Sequence, residues 1–169
     1  MNPRENKVQE LVYGKYTLKA HAYFREKALA QDSLWWYPFS KAVISSTSFA
    51  SSVFLKSVFK DIHITGVDQF AKILKDESRV ASIITYSNHI STFDDPLLWG
   101  SLPKYIRSNP DFMRWTLGAK ELTFINPPLT AFFALGQVIP TVRGAGIYQD
   151  AIRFAQAKIE QKKWVCFLL

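Results

Sequence analysis

At 169 residues, 48% of them hydrophobic and 15% aromatic, the chain is long enough for one domain with a real core and too apolar to be disordered. Its single cysteine, Cys166, excludes an internal disulfide and argues against a cysteine-rich zinc site. The net charge is +7, and residues 1–60 carry nine Lys/Arg against four Asp/Glu, which points to an anionic partner surface such as a lipid headgroup layer. No compact basic cluster or nucleic-acid motif accompanies that charge, so no nucleic-acid partner is expected.

Residues 1–33 form the first of three expected regions. Over residues 4–30, Val8, Leu11, Val12, Leu18, Ala22 and Leu29 fall mostly on one side of a helix, with Lys7, Lys15, Lys19, Arg25 and Lys27 on the rest. An amphipathic helix packing on the domain is expected there. Glu5, Glu10 and Glu26 count against a mitochondrial transit peptide, which would be poor in acids. His21 on this helix reads as structural.

Residues 34–60 differ in character. Leu34-Trp35-Trp36-Tyr37-Pro38-Phe39 is an aromatic cluster of the kind that sits at headgroup level, and Ala42 to Leu55 is uncharged. That stretch is short of the ~20 residues of a spanning helix. Wound as a helix, Lys41, Ser45, Ser48, Ser52 and Lys56 make a narrow polar stripe, while Val43, Ile44, Phe49, Ala50, Val53, Phe54 and Val58 cover the remainder. A helix lying in one leaflet is expected, with Trp35, Trp36, Phe39, Phe49 and Phe54 at the membrane interface. A buried core helix would show the same periodicity.

From residue 61 strands and helices alternate, which predicts an α/β domain with a mostly parallel sheet flanked by helices over 61–169. Strands are expected at 62–65, with His63 pointing outward as a structural residue, and at 80–86, 114–118, 137–140 and 164–169. Helices are expected over 67–75, 97–102, 127–135 and 146–163, the last with Ile147, Ala151, Phe154, Ala155 and Ile159 as its apolar side. The apolar run Trp164-Val165-Cys166-Phe167-Leu168-Leu169 reads as a central parallel strand buried on both faces, or else as a short edge strand or apolar tail.

The polar stretch Ser87-Asn88-His89-Ile90-Ser91-Thr92-Phe93-Asp94-Asp95-Pro96 lies between a strand and a helix. Asp95 before Pro96 is read as the structural helix cap. That leaves Asp94 for His89. On one helix two residues five apart diverge by roughly 140°, but across a turn they can converge. A carboxylate accepting the imidazole N–H fixes the tautomer and frees the other ring nitrogen to take a proton from a hydroxyl. Asn88 and Ser91 add polar groups to the same turn. Two alternatives remain open on these residues: a metal held by His89, Asp94 and Asp95, and Ser91 as a nucleophile, although no Gly-x-Ser-x-Gly surrounds it. Arg143 follows a strand and precedes a glycine-flanked helix start, where it would suit a phosphate or be an ordinary surface arginine.

The block Asn88-His89-x-Ser91-x-x-Asp94-Asp95-Pro96, with Leu98-Trp99-Gly100 behind it, resembles the signature of the tafazzin family in the glycerophospholipid acyltransferase superfamily. The similarity continues through Met113-Arg114-Trp115, Phe132-Phe133-x-Leu135-Gly136 and Val138-x-Pro140-x-x-Arg143-Gly144, covering residues 34 to about 165. The resemblance implies coenzyme A-independent transfer of acyl chains between phospholipids and lysophospholipids, among them phosphatidylcholine and cardiolipin, which is thereby remodelled. It implies no metal or organic cofactor and attachment to a mitochondrial membrane facing the intermembrane space. It makes His89 the base, Asp94 its partner, and places Arg143, Asn88 and Ser91 with the substrate. The family's third block, Phe/Tyr-Pro-Glu-Gly after Trp-Val, has no counterpart at Cys166-Phe167-Leu168-Leu169. The expectation is therefore the front part of such a domain, as a transacylase or as an inactive membrane-binding module of the same family.

Overall fold

The computed structural model describes residues 35–91 and 93–168. The expected N-terminal helix over residues 4–30, with His21, lies outside the described residues. In chain order the elements are α1 (Trp36–Val58), α2 (Val67–Lys75), β1 (Ile83–Ser87), α3 (Asp94–Ser101), α4 (Lys104–Arg107), β2 (Trp115–Ala119), α5 (Lys120–Thr123), α6 (Pro127–Leu135), β3 (Val138–Thr141), α7 (Asp150–Glu160) and β4 (Trp164–Leu168).

The four strands form one sheet in the order β1-β4-β2-β3, and every neighbouring pair is parallel. The apolar run at 164–168 is central, flanked by β1 through Ile84 opposite Val165 and by β2 through Thr116 opposite Cys166. Successive strand residues face opposite sides. Val165 joins one apolar cluster with Trp115, Ile139, Ala151 and Phe154, while Trp164 joins another with Ala71, Leu74, Leu102 and Ile106. The sheet thus buries both faces under helices, and each large apolar side chain so buried contributes roughly 1.5–3 kcal/mol.

Local chemistry explains several boundaries. Asn126 accepts the Leu129 N–H at 3.0 Å and Pro127 takes the first helical position, so α6 begins where the proline pair predicts. β1 begins at Ile83, not residue 80, because its ladder to β4 starts with Ile83 opposite Trp164; Arg79 instead donates to the Lys162 carbonyl at 2.7 Å. No strand forms at 62–65. Ile62, His63 and Ile64 are all exposed there, so the alternation has no face to bury. The last helix starts at Asp150, not 146, since Gly144 and Gly146 adopt φ +78° and +71°. Ile147 therefore stands exposed instead of packing with Ala151 and Phe154.

α1 packs with four of its serines inward, while Lys41 and Lys56 of the expected polar stripe stay exposed. Ser40, Ser48, Ser51 and Ser52 are buried; Ser40 donates to the Leu135 carbonyl at 2.7 Å and Ser48 to the Arg107 carbonyl at 3.1 Å. The contrast of neighbours is sharp, with Ser48 0% and Phe49 66% exposed. Phe39, Val53, Phe54 and Val58 also point outward, away from the domain. Some positions depart from the expected outward pattern, half-buried Val43 among them. Ile44 is buried, and Trp36 is half-buried, stacked on Trp115 with ring centroids 5.9 Å apart instead of facing an interface. None of the described helices is long and apolar enough to cross a membrane.

Candidate active site

Parallel strands point all their C-terminal ends to one edge of the sheet, and the loops leaving that edge carry the candidate residues. After β1 the chain makes a tight turn into α3. The Asp94 carboxylate organises that turn, its Oδ2 accepting the backbone N–H groups of Ile90 at 2.7 Å and Ser91 at 2.8 Å. The Asp94 N–H in turn donates to the Ser91 carbonyl at 3.0 Å, and the Phe93 N–H donates to Ser91 Oγ at 3.2 Å.

His89 Nδ1 lies 3.3 Å from the same Asp94 Oδ2, with both side chains partly open to solvent. The Ser91 and Ile90 amides and His89 together hold the Asp94 carboxyl below its ordinary range, against a smaller opposing effect of burial, with the Ser91 amide the largest cause. Asp94 is therefore a carboxylate at neutral pH and an acceptor only. A proton on Nδ1 pointed at it leaves Nε2 as the ring's basic atom. Asn88 stands exposed beside the histidine.

Asp95 does not cap the helix. α3 has no side-chain cap, and both Asp95 oxygens turn inward to Arg114. Arg114 Nε donates to Asp95 Oδ1 at 2.8 Å, Nη2 donates to Oδ2, and Nη1 donates to the Gly136 carbonyl at 3.3 Å. Trp99 Nε1 donates to Asp95 Oδ1 at 3.2 Å, and the guanidinium lies 4.4 Å from the Trp99 ring centre. A proline in the first turn and a buried guanidinium within reach together account for the change. The helix can start without a side-chain cap, but a buried Arg must be paired. Asp95 is thus engaged away from His89 and Asp94. Among the described residues no three of His, Cys, Asp and Glu gather as a metal site would need.

Arg143 leaves the sheet after β3 and is 70% exposed, its Nε 3.4 Å from Glu121 Oε1 after β2. It does not sit at a helix start, since α7 begins seven residues later with Asp150. Its loop is held from within by Gln149, whose Oε1 accepts the Val142 N–H at 2.9 Å and whose Nε2 donates to the Gly146 carbonyl at 2.6 Å. Lys120, at the end of β2, has its ammonium pKa lowered chiefly by burial, partly offset by Glu121. β1 and β3 are the two margins of the sheet, three strand spacings or about 14 Å apart. The histidine pair and Arg143 therefore leave the same edge of the sheet from opposite margins, with Lys120 following β2 between them.

Neither Arg114 nor Gln149 stands out in the sequence as a support for the site. Arg114 sits within a strand-like run and Gln149 within a helix-like one, so neither carried a local signal.

The acyltransferase family model matches residues 61–169, which holds the whole sheet and all of these side chains. The chain belongs to the acyltransferase family. It is 35% identical over 137 residues to a tafazzin of Drosophila melanogaster, covering 81% of this chain and 36% of that protein. It is 41% identical over 102 residues to a taffazin of Dictyostelium discoideum, covering 60% and 36%. It is 30% identical over 140 residues to an N-acylphosphatidylethanolamine synthase of Arabidopsis thaliana, covering 83% and 49%. The chain thus spans a third to a half of the length of these acyltransferase relatives.

Proposed function

We propose that the chain transfers acyl groups between phospholipids and lysophospholipids, with His89 as base and Asp94 as its partner. The observation that carries this reading is the 3.3 Å approach of His89 Nδ1 to an Asp94 oxygen already fixed by two backbone amides. In the forward step Nε2 takes the proton of the lysolipid hydroxyl as that oxygen attacks the ester carbonyl of the donor lipid. The tetrahedral intermediate then collapses, breaking the bond from the carbonyl carbon to the donor's glycerol oxygen. The imidazolium returns its proton to that leaving oxygen. One lysolipid is consumed and another is released, with no redox change and no metal or organic cofactor required.

Arg143, with Asn88 and Ser91, is assigned to the substrate, the guanidinium meeting a lipid phosphate. α1 is assigned to the membrane surface. Its outward Phe39, Phe49 and Phe54, together with Trp35, suit a helix lying in one leaflet while its serines hold the domain. As the family resemblance implies, cardiolipin is the lipid proposed to be remodelled, and a mitochondrial membrane facing the intermembrane space is the place proposed for it.

To test this, the chain is incubated with acyl-labelled phosphatidylcholine and lysocardiolipin vesicles. Label should reach cardiolipin, and His89→Ala should lower the rate by about 10²–10⁴-fold. Equal transfer by both proteins would refute the assignment of the base. A second reading, acylation of an ethanolamine nitrogen, draws on the synthase relative. It predicts label on phosphatidylethanolamine in a parallel incubation. Vesicle binding without transfer to any acceptor would leave a membrane-binding module.

A further inference from the structure

The two edges of the sheet differ in what their loops expose. Each of the three described connections leaving a strand presents two large apolar side chains to solvent: Ile90 and Phe93 after β1, Leu122 and Ile125 after β2, Ile147 and Tyr148 after β3. Ile90 is 90% and Tyr148 92% exposed. They are interleaved with the polar groups His89, Lys120 and Arg143. At the opposite edge, among the described residues, the large apolar side chains exposed in connections entering a strand are Val80 and, on α4, Tyr105, whose ring lies under the Lys75 ammonium. There the neighbours are charged, as where Lys163 pairs with Asp111 at 2.8 Å.

The orientation of α1 ties this rim to the helix's outward face. Ser48 meets Arg107, beyond the end of α3, whereas the backbone of Ser51 and Ser52 meets Gly100 inside it. α1 therefore runs antiparallel to α3, whose first residue is Asp94. At 1.5 Å per residue, Ser51 to Val58 advances by about 10.5 Å and Gly100 back to Asp94 by about 9 Å. The end of α1, with exposed Phe54, Val58 and Phe59, reaches the level of the catalytic turn. The apolar surface of α1 thus leads to the apolar rim.

We infer that this rim, and not α1 alone, enters the lipid layer: Ile90, Phe93, Leu122, Ile125, Ile147 and Tyr148 dip among the acyl chains of an anionic leaflet. Lys120 and Arg143 lie at its phosphates and His89 at the level of the glycerol esters. The inference rests on the membrane reading of α1 and deepens it. Apolar side chains alternating with cations fit an interface that is apolar below and anionic above, a combination a purely apolar protein groove would not match. It also answers a chemical need, since both the lysolipid hydroxyl and the donor ester reside at that depth. Substrates would reach the imidazole without leaving the membrane.

The test places an environment-sensitive fluorophore on single cysteines introduced at Ile90, Tyr148, Phe54 and Val80 of the full chain, the buried Cys166 being left in place. Vesicles of phosphatidylcholine with phosphatidylglycerol are added, with and without nitroxide-labelled acyl chains. Labels at positions 90, 148 and 54 should brighten several-fold and be quenched by the nitroxide, while the label at 80 stays aqueous. Insertion at 54 with aqueous labels at 90 and 148 would overturn the inference and leave the α1 reading standing. Aqueous labels at all four positions would overturn both. Equal insertion at 80 would show unspecific adsorption and overturn the assignment of the rim.

Discussion

Arg114 and Asp95 form a buried ion pair directly behind the turn that carries His89 and Asp94. Asp95 neighbours Asp94 in the first turn of α3, and Arg114 precedes β2, so the pair pins the start of the helix to the sheet. Removing the fully buried Arg114 strips the largely enclosed Asp95 carboxylate of its ion-pair partner, and breaking a buried pair in this way typically costs about 3–5 kcal/mol. Arg114→Met should therefore lower the stability seen in denaturant unfolding by that order. Arg114→Lys should recover part of it, since an ammonium keeps the charge but not the two-pronged contact. A loss below about 1 kcal/mol for Arg114→Met would mean that the pair does not anchor the turn.

The approach of α1 to α3 is set by Gly100. A Cβ built there would lie 2.7 Å from the Ser51 carbonyl carbon and 2.7 Å from the Ser52 nitrogen, both backbone atoms that cannot rotate aside. Overpacking of this kind costs about 1–3 kcal/mol. Gly100→Ala should lower the thermal midpoint and loosen α1, read as faster hydrogen exchange across 40–56. An unchanged midpoint and unchanged exchange would show that the two helices are not closely docked in solution.

Most of the sheet was legible from residue pattern, and the reasons are physical. The run at 164–168 is apolar on both faces because β4 is central, and a two-faced burial leaves a sequence no polar alternation to hide in. The proline pair at 127–128 announces α6, and His89 and Asp94 announce their own turn by type and spacing. What stayed hidden depends on distant partners. Ser48 and Ser52 read only as part of a narrow polar stripe, because hydroxyls at helical spacing look the same whether they meet water, headgroups or a carbonyl such as that of Arg107. Asp95 read as a cap because its tie to Arg114, nineteen positions away, has no local mark.

Asp94 gives a pH dependence whose sign is fixed. Its native carboxyl titrates below the ordinary range, so the folded state binds that proton less readily than the unfolded state. The stabilisation is complete above the unfolded carboxyl's pKa and is lost as pH falls through the depressed native value. Asp94→Asn keeps neither the charge nor this slope. The stability gap between the two proteins, measured by urea unfolding at a series of pH values, should be constant near neutrality and close towards strong acid. A gap that widens on acidification would contradict the bonding of Asp94 to the Ile90 and Ser91 amides.

Lys158 predicts the opposite end of the pH range. Its ammonium is buried on α7, 4.5 Å from the Trp115 ring centre and 3.0 Å from Gln161 Oε1. Burial first, and the nearby Lys163 second, lower its pKa from 10.5 to about 8. Between those values the unfolded state binds the proton that the folded state has released, so stability rises as pH climbs from about 8 towards 10.5 and levels above it. Lys158→Met fills similar space without a charge to desolvate. It should be as stable as wild type or more stable at pH 7, by about 1–2 kcal/mol, and should lack the alkaline rise. The check is a pair of urea titrations at pH 7 and pH 10. A wild-type midpoint that falls between them while the methionine variant's stays level would show that the folded chain holds Lys158 charged through that range.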